Sequence, residues 1–376
     1  MTTRVLVLGG YGNFGKRICE SLAGESGVEL VVAGRNLAKA QRLCDVLAKD
    51  PDGASMQSIE IDIDAVDFAA ALGRAEPDVV VHTCGPFQGQ DHRVANACLE
   101  AGSHYLDLAD DRRFVCDIRP LDRAARARDV LLVSGASTVP GLSSVVVDAL
   151  RTKLERLDAI DIAIAPGNRA ERGEATVRAI LSYAGHPFSS WSGGRWNEVH
   201  GWMNSRRADF GDTVGRRLLA NVDVPDLELF PERYAPVETV RFQAGLELPI
   251  LHDALLAMAW LARIRLVRDW SRYTRPIVSI SRWFDRFGTD IGGMYVRLTG
   301  ADMTGAAVRI QWTLIAENGV GPYVPTISTI ILARKLIHGE LPRRGAVPCL
   351  GMYGLDELSG EAEARGIRQR VETRIG

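Results

Sequence analysis

Residues 4–16, Arg4 through Lys16, read RVLVLGGYGNFGK, an apolar run rich in valine and leucine that stops abruptly at glycine. Gly10, Gly12 and Gly15 fall in the spacing G-x-G-x-x-G, with an additional glycine at Gly9. Alone the pattern is weak. Here it follows a predicted strand over 4–9 and opens a predicted helix over 15–23, inside a strand–helix–strand unit of about 30 residues, the context that makes it informative. The first glycine permits a tight turn, the second lets the backbone approach a pyrophosphate, and the third lets helix and strand pack closely. Free N–H groups at the helix start then face the phosphates. Tyr11, Asn13 and Phe14 complete the loop and join the three glycines as candidate cofactor contacts. The bland alternative is a glycine-rich turn without a ligand.

Further strands are predicted over 28–33, 58–62, 78–83, 105–108 and 130–134, separated by helical patterns. Strands alternating with helices argue for a parallel sheet covered on both faces. The apolar runs lack period-two alternation, as expected of strands buried on both sides. Six of them make a doubly wound α/β unit of the Rossmann type, with expected order 3-2-1-4-5-6. The character changes beyond about residue 155, and all seven tryptophans lie there. Met294, Val296 and Leu298 alternate with polar positions, as do Val308, Ile310, Trp312 and Leu314, with turn residues 300–305 between. That is an antiparallel hairpin with one buried face. The reading is three segments: a dinucleotide-binding domain over 1–150, an inserted α+β substrate and dimerisation domain over 151–319 with an antiparallel sheet, and a helical segment over 320–376 returning to the first domain. The last residues, 365–376, read as a polar tail that frays.

The end of the second strand reads Ala33-Gly34-Arg35-Asn36. A site for NAD usually carries Asp or Glu there to hold the ribose 2′-hydroxyl. Arg35 can instead pair with a 2′-phosphate in two-pronged geometry, so NADP is favoured over NAD. Asp62, at the end of the third strand, can accept from the adenine amino group; alternatively, the neighbouring Asp64 simply caps the next helix.

His82-Thr83-Cys84-Gly85-Pro86-Phe87 follows the fourth strand, beside the switch point where open α/β sheets bind ligands. Thr83, Cys84, Gly85 and Pro86 are candidates to line the nicotinamide ribose. Cys84 reads as a small packed residue rather than a nucleophile, since no nearby base is identifiable. After the fifth strand's start, Tyr105, Asp107 and Asp110 are the candidates for proton handling or substrate orientation. Asp107 lies inside an apolar strand, where a carboxylate is costly to bury without a partner. It is either held by backbone N–H groups or set near reacting atoms. The loop 134–141 is either a wall of a binding cleft or simply a loop that caps the next helix.

Composition bounds the rest. A net charge of -2 gives no polyelectrolyte signal, so nucleic acid is not expected as a partner. No apolar run reaches the roughly 18–20 residues that span a bilayer. The start is not that of a signal peptide, and the six cysteines lack metal-site or disulfide spacing, so a cytoplasmic protein without metal is expected. Residues 252–275 join an apolar helix to a run of arginines. One reading is contact with a membrane surface; burial in a core or a homodimer interface is favoured, because the helix is apolar all round.

Several stretches together resemble the saccharopine dehydrogenase-like family of NADP-binding oxidoreductases: Gly9 through Gly15, Cys84-Gly85-Pro86-Phe87, His104 through Leu108, Gly321-Pro322-Tyr323-Val324-Pro325, Leu332-Ala333-Arg334-Lys335 and Gly345 through Gly351. The resemblance covers the first 150 residues and roughly 305–355. It implies a Rossmann domain, an inserted domain that aids dimerisation, a cleft between them, and hydride transfer between NADP(H) and a small-molecule substrate: an imine or amine, a carbonyl or an enoyl compound. Only five of the 45 basic residues are lysine, so no lysine acid stands near the fourth and fifth strands. None follows a tyrosine by four positions, which sets aside a short-chain dehydrogenase. A non-catalytic NADP-binding sensor or scaffold and a reductase of lipid-like substrates are the alternatives.

Overall fold

A computed structural model describes residues 2–48, 50–171 and 173–375. In chain order the strands are β1 (Thr3–Leu8), β2 (Val28–Gly34), β3 (Ser55–Glu60), β4 (Val79–His82), β5 (His104–Asp107), β6 (Leu131–Ser134), β7 (Arg156–Ala165), β8 (Pro187–Ser192), β9 (Arg195–His200), β10 (Arg206–Asp209), β11 (Arg216–Asn221), β12 (Thr239–Ala244), β13 (Gly292–Ala301), β14 (Ala307–Ala316), β15 (Gly345–Pro348) and β16 (Arg368–Ile375).

The chain forms two compact units. The first comprises 1–142 and 323–353, the second 143–322 and 354–376. The sheet of the first unit runs β15-β6-β5-β4-β1-β2-β3 and is parallel throughout. Its six earlier strands follow the doubly wound order that the alternation of strands and helices predicts. Val5, Leu6, Val7 and Leu8 of β1 are all buried, which is why the run shows no polar alternation. Each such side chain contributes about 1.5–3 kcal/mol by leaving water. The seventh strand, β15, pairs with β6 and was not predicted. It is four residues long and ends in proline, with little periodicity to read.

The second unit holds a mixed sheet, β10-β11-β12-β7-β13-β14-β16, and a separate ribbon of β8 and β9. β13 and β14 are the expected antiparallel hairpin. β12 pairs parallel with β7, so the sheet is not wholly antiparallel. The expected frayed tail is instead a strand: β16 lies antiparallel along β14, and Trp312 Nε1 donates to Gln369 Oε1 at 3.1 Å. Its residues are mostly polar and exposed, so ladder hydrogen bonds hold it rather than apolar burial. Thus 323–353 lie in the first unit while 354–376 complete the second, in place of one returning segment over 320–376. Residues 49 and 376, the first in the helical pattern between the second and third predicted strands and the second at the end of the predicted tail, lie outside the described residues.

The apolar helix Pro249–Arg263 buries His252, Leu255, Ala259 and Ala262 and leaves Ile250 and Trp260 exposed. Within this chain only one face is covered, so of the two expected kinds of burial the core is excluded and the homodimer interface is untested. Among the described residues no helix is long and apolar enough to cross a membrane.

Candidate functional site

The glycine loop joins β1 to the helix Asn13–Leu22. Gly9 and Gly10 both donate their N–H to the Ala33 carbonyl, at 2.9 and 3.0 Å, tying the loop to β2. Gly9 sits at φ +76°. Gly15 is packed so closely that a Cβ there would lie 2.2 Å from the Gly9 carbonyl oxygen. A Cβ on Gly12 would meet only that same oxygen, at 3.0 Å. The helix has no side-chain cap, and its first intrahelical bond here is Lys16 N–H to the Gly12 carbonyl. The N–H groups of Asn13, Phe14 and Gly15 are therefore left for an anion. These features fit a pyrophosphate.

Tyr11 leans over the end of β2. Its ring lies where a side chain at Gly34 would be, and its hydroxyl accepts from the Asn36 N–H at 2.9 Å. Arg35 follows directly, exposed, with no ion pair to any described residue. A guanidinium at this edge, exposed and without an ion pair among the described residues, fits a 2′-phosphate. β3 ends at Glu60, so Asp62 stands in the turn beyond, half-buried, its Oδ1 accepting from the Asp64 N–H at 3.1 Å. Asp64 does not cap the next helix; its carboxylate pairs with Arg93 at 3.3 Å.

At the exit of β4, Thr83 Oγ1 donates to the Leu8 carbonyl at 2.8 Å, fastening this exit to β1. Cys84 lies next to Gly9: a Cβ built there would be 3.0 Å from Cys84 Sγ. Burial pushes the Cys84 thiol up to about 12, so it is a packed thiol at neutral pH. The loop Gly85-Pro86 is clamped by Gln90, whose Nε2 donates to the Cys84 and Pro86 carbonyls, each at 2.7 Å. Sequence reasoning missed this residue. Its signal was a glutamine four residues after a proline in a loop, too common to read.

Tyr105 and Asp107 lie in β5 with no exposed surface. Asp107 Oδ1 accepts from Ala109 N–H at 2.9 Å and Gly135 N–H at 2.8 Å. Of its two alternatives, the carboxylate therefore takes the one held by backbone N–H groups. Burial raises its carboxyl, and those two donors pull it partly back down. The Tyr105 hydroxyl meets His82 Nδ1 at 3.1 Å. Burial and then the Asp107 charge push its phenol well above the ordinary range. Burial lowers His82 to about 3, so the imidazole is neutral. His82, Tyr105, Asp107 and Ser134 thus form a buried polar row across the ends of β4, β5 and β6. Asp107 Oδ2, His82 Nε2 and Ser134 Oγ have no hydrogen bond of ordinary geometry within it. None of the row is open to a substrate. Asp110 is exposed, and its Oδ1 accepts from Gln88 Nε2 at 3.3 Å.

The loop after β6 is fixed from below. Gly135, at φ +80°, has no room for a Cβ beside Pro140 Cδ, 2.6 Å away. Thr329 Oγ1 donates to the Ala136 carbonyl at 2.6 Å and Ser328 Oγ to the Ser137 carbonyl at 2.9 Å, both from the helix Ile327–Ile337. Two hydroxyls in the apolar first part of this helix were the readable sign of this. Among the described residues, no cluster of His, Cys, Asp and Glu could hold a metal, and all six cysteines are free.

Residues 5–132 match the family described as the saccharopine dehydrogenase NADP binding domain. That stretch, most of the first unit's N-terminal part, is thus similar to an NADP-binding domain of that type. No curated protein matches the chain in sequence. Among solved structures, the chain is similar to an apo histidine-tagged saccharopine dehydrogenase (L-Glu forming) from Saccharomyces cerevisiae. The identity is 14%, the coverage 99% of this chain and 100% of that one, and the TM-score 0.70. The fold of the whole chain is therefore that of the yeast enzyme. A dehydrogenase from Chromobacterium violaceum aligns at 13% identity over 84% of this chain and 75% of that one, with a TM-score of 0.40. A short chain dehydrogenase from Mycobacterium smegmatis aligns at 16% identity over 35% and 75%, with a TM-score of 0.31. At those scores neither bears on the fold of the whole chain.

Proposed function

We propose that this protein is an NADP-dependent oxidoreductase acting on a small molecule with a reducible carbon, an imine, carbonyl or enoyl compound, or on the corresponding amine or alcohol. The observation that carries this reading is the pairing of the uncapped, glycine-lined helix start with the free Arg35 at the next strand end. The bound cofactor supplies the hydride. The chain's own contribution is to bind, orient and exclude water. Gly10, Gly12 and Gly15 admit the pyrophosphate to the N–H groups of Asn13, Phe14 and Gly15. Arg35 takes the 2′-phosphate, while Tyr11 and Asp62 border the adenosine. Thr83 through Pro86, braced by Gln90, border the nicotinamide ribose.

The polar row of His82, Tyr105, Asp107 and Ser134 holds the ends of β4 to β6 in register. Tyr105 and Asp107 are then positioning residues, and Asp110 is the one of the three candidate acids and bases that reaches solvent. A non-catalytic NADP-binding protein is the second reading, favoured by how little acid–base chemistry is exposed at these strand ends. The test is NADPH oxidation by the full chain over a panel of imines, carbonyls and enoyl compounds. Turnover that Asp110→Asn lowers at least tenfold, with NADPH affinity kept, supports the enzyme and Asp110's role. Tight NADPH binding with no turnover on any class supports the sensor.

A further inference from the structure

The second unit carries a surface that neither its sheet nor the cofactor site uses. More than half of the large apolar side chains exposed among the described residues fall between Ile250 and Phe287. Ile264 is 65% exposed, Leu266 72% and Trp283 73%. The local backbone explains part of this. The helix Pro249–Arg263 ends with Arg265 at φ +63°, whose N–H donates to the Ala262 carbonyl, while Leu266 N–H donates to the Leu261 carbonyl. In this helix stop the second residue past the cap usually packs back on the last turn. Leu266 does not. Two short helical stretches, Thr274–Ser281 and Arg282–Phe284, then present Ile280 and Trp283 to solvent.

The charge around these side chains is predominantly positive. Residues 263–286 contain seven arginines, against Asp269 and Asp285. Arg272 pairs with Asp269 at 3.7 Å and Arg275 with Glu174 of a neighbouring helix at 3.7 Å. Arg263 and Arg286 stack over the rings of Trp260 and Phe287, at 5.2 and 5.0 Å. Arg265, Arg268 and Arg282 have no acidic partner among the described residues.

We infer that residues 250–287 dock the protein on an anionic lipid bilayer. Leucine, isoleucine and tryptophan interleaved with arginine suit the headgroup boundary: the apolar parts enter the acyl edge and guanidinium groups pair with lipid phosphates. A second copy of this chain fits less well. A two-fold contact through this surface would set its arginines against their own copies, with too few carboxylates to offset them. The inference does not rest on the cofactor reading, and NADPH binding serves as an independent check on the fold.

The experiment is flotation of the full chain with vesicles of phosphatidylcholine alone and with added phosphatidylglycerol. Binding is expected to the anionic vesicles, falling as salt rises. The variant Arg265→Gln/Arg268→Gln/Arg282→Gln should lower partitioning about a hundredfold, roughly a factor of five for each charge lost. The variant Ile264→Ser/Leu266→Ser/Trp283→Ser should lower it at least about tenfold. Both should keep wild-type NADPH affinity and circular dichroism. The inference is overturned if the wild type does not float with anionic vesicles at low salt, or if the two variants float as well as it does. It is also overturned if the apolar variant turns a dimer into a monomer in sedimentation, which would assign the surface to a second copy.

Discussion

Replacing Arg35 tests the cofactor reading where it is most specific. The side chain is exposed and makes no hydrogen bond or ion pair to any described residue, so its loss leaves nothing unsatisfied. Stability should change by less than about 0.5 kcal/mol, as for a surface substitution away from special features. Binding is another matter. A hydrogen bond to a charged group is worth about 1.5–3 kcal/mol, and a guanidinium can make two to a phosphate. Exposure and salt reduce that sum well below its full value. A net loss of about 2 kcal/mol is a fair expectation, roughly thirtyfold in the NADPH dissociation constant. NADH, which has no 2′-phosphate, should bind Arg35→Ala as it binds the wild type. Arg35→Asp goes further, because a carboxylate repels the phosphate and accepts from a ribose hydroxyl. It should reverse the preference, most strongly at low salt. Calorimetric titration of both cofactors at two salt concentrations measures this. A ratio of affinities unchanged in both variants, with the fold intact, would refute the assignment of Arg35.

Two further outcomes follow from the same unit. Gly12→Ala sets a methyl 3.0 Å from the Gly9 carbonyl oxygen, a tight contact that a shift of a few tenths of an ångström relieves, and it fills the approach to the pyrophosphate, so NADPH affinity should fall far more than the thermal midpoint. In Gly15→Ala the new Cβ would meet the Gly9 carbonyl at 2.2 Å, so both affinity and midpoint should fall, as differential scanning fluorimetry would show. The buried neutral His82 makes stability depend on pH. Its folded value is about 3 against 6.5 for the free imidazole, so on acidification the unfolded chain takes up the proton first. The contribution is complete above pH 6.5 and is lost from there downward, by up to about 1.4 kcal/mol per pH unit. The midpoint of His82→Gln should fall less between pH 7 and 5 than that of the wild type, and an equal fall would exclude the imidazole as the source.

β1, β2, β4 and β6 were legible as mainly apolar runs stopped by glycine or a polar turn, β3 (SMQSIE) and β5 (HYLD) from their place in the alternation with helices, and β1 because it occurs together with the glycine loop. β15 and β16 were not. Both lie at sheet edges, where pairing with one neighbour holds a strand and few side chains need be apolar. The glycine loop and the exits of β2 and β4 were likewise readable, as loops at the carboxyl ends of strands, from residue type and place. Tyr105 and Asp107 stood out as polar groups in an apolar strand, yet their number and spacing could not say that Ala109 and Gly135 donate to the carboxylate. That contact depends on how β5 and β6 lie side by side. His82 and Ser134 belong to the same row for the same reason. The apolar run 254–262 pointed to burial all round, because hydropathy records what a helix can cover, not what lies against it.

The sharing of the chain ends between the two units bears on how the protein is made. β6 is complete at residue 134, but the strand that covers its edge, β15, begins only at residue 345. At a synthesis rate of about 5–20 residues per second, that edge stays open for roughly 10–40 seconds while the second unit is still emerging. The edge of β14 likewise waits for β16, which ends at Ile375. Neither unit can finish its sheet until residues 345–348 and 368–375 have been made. A premature stop ahead of residue 345 would leave an unpaired parallel edge on an otherwise formed nucleotide-binding sheet, a template for joining the next unfinished copy.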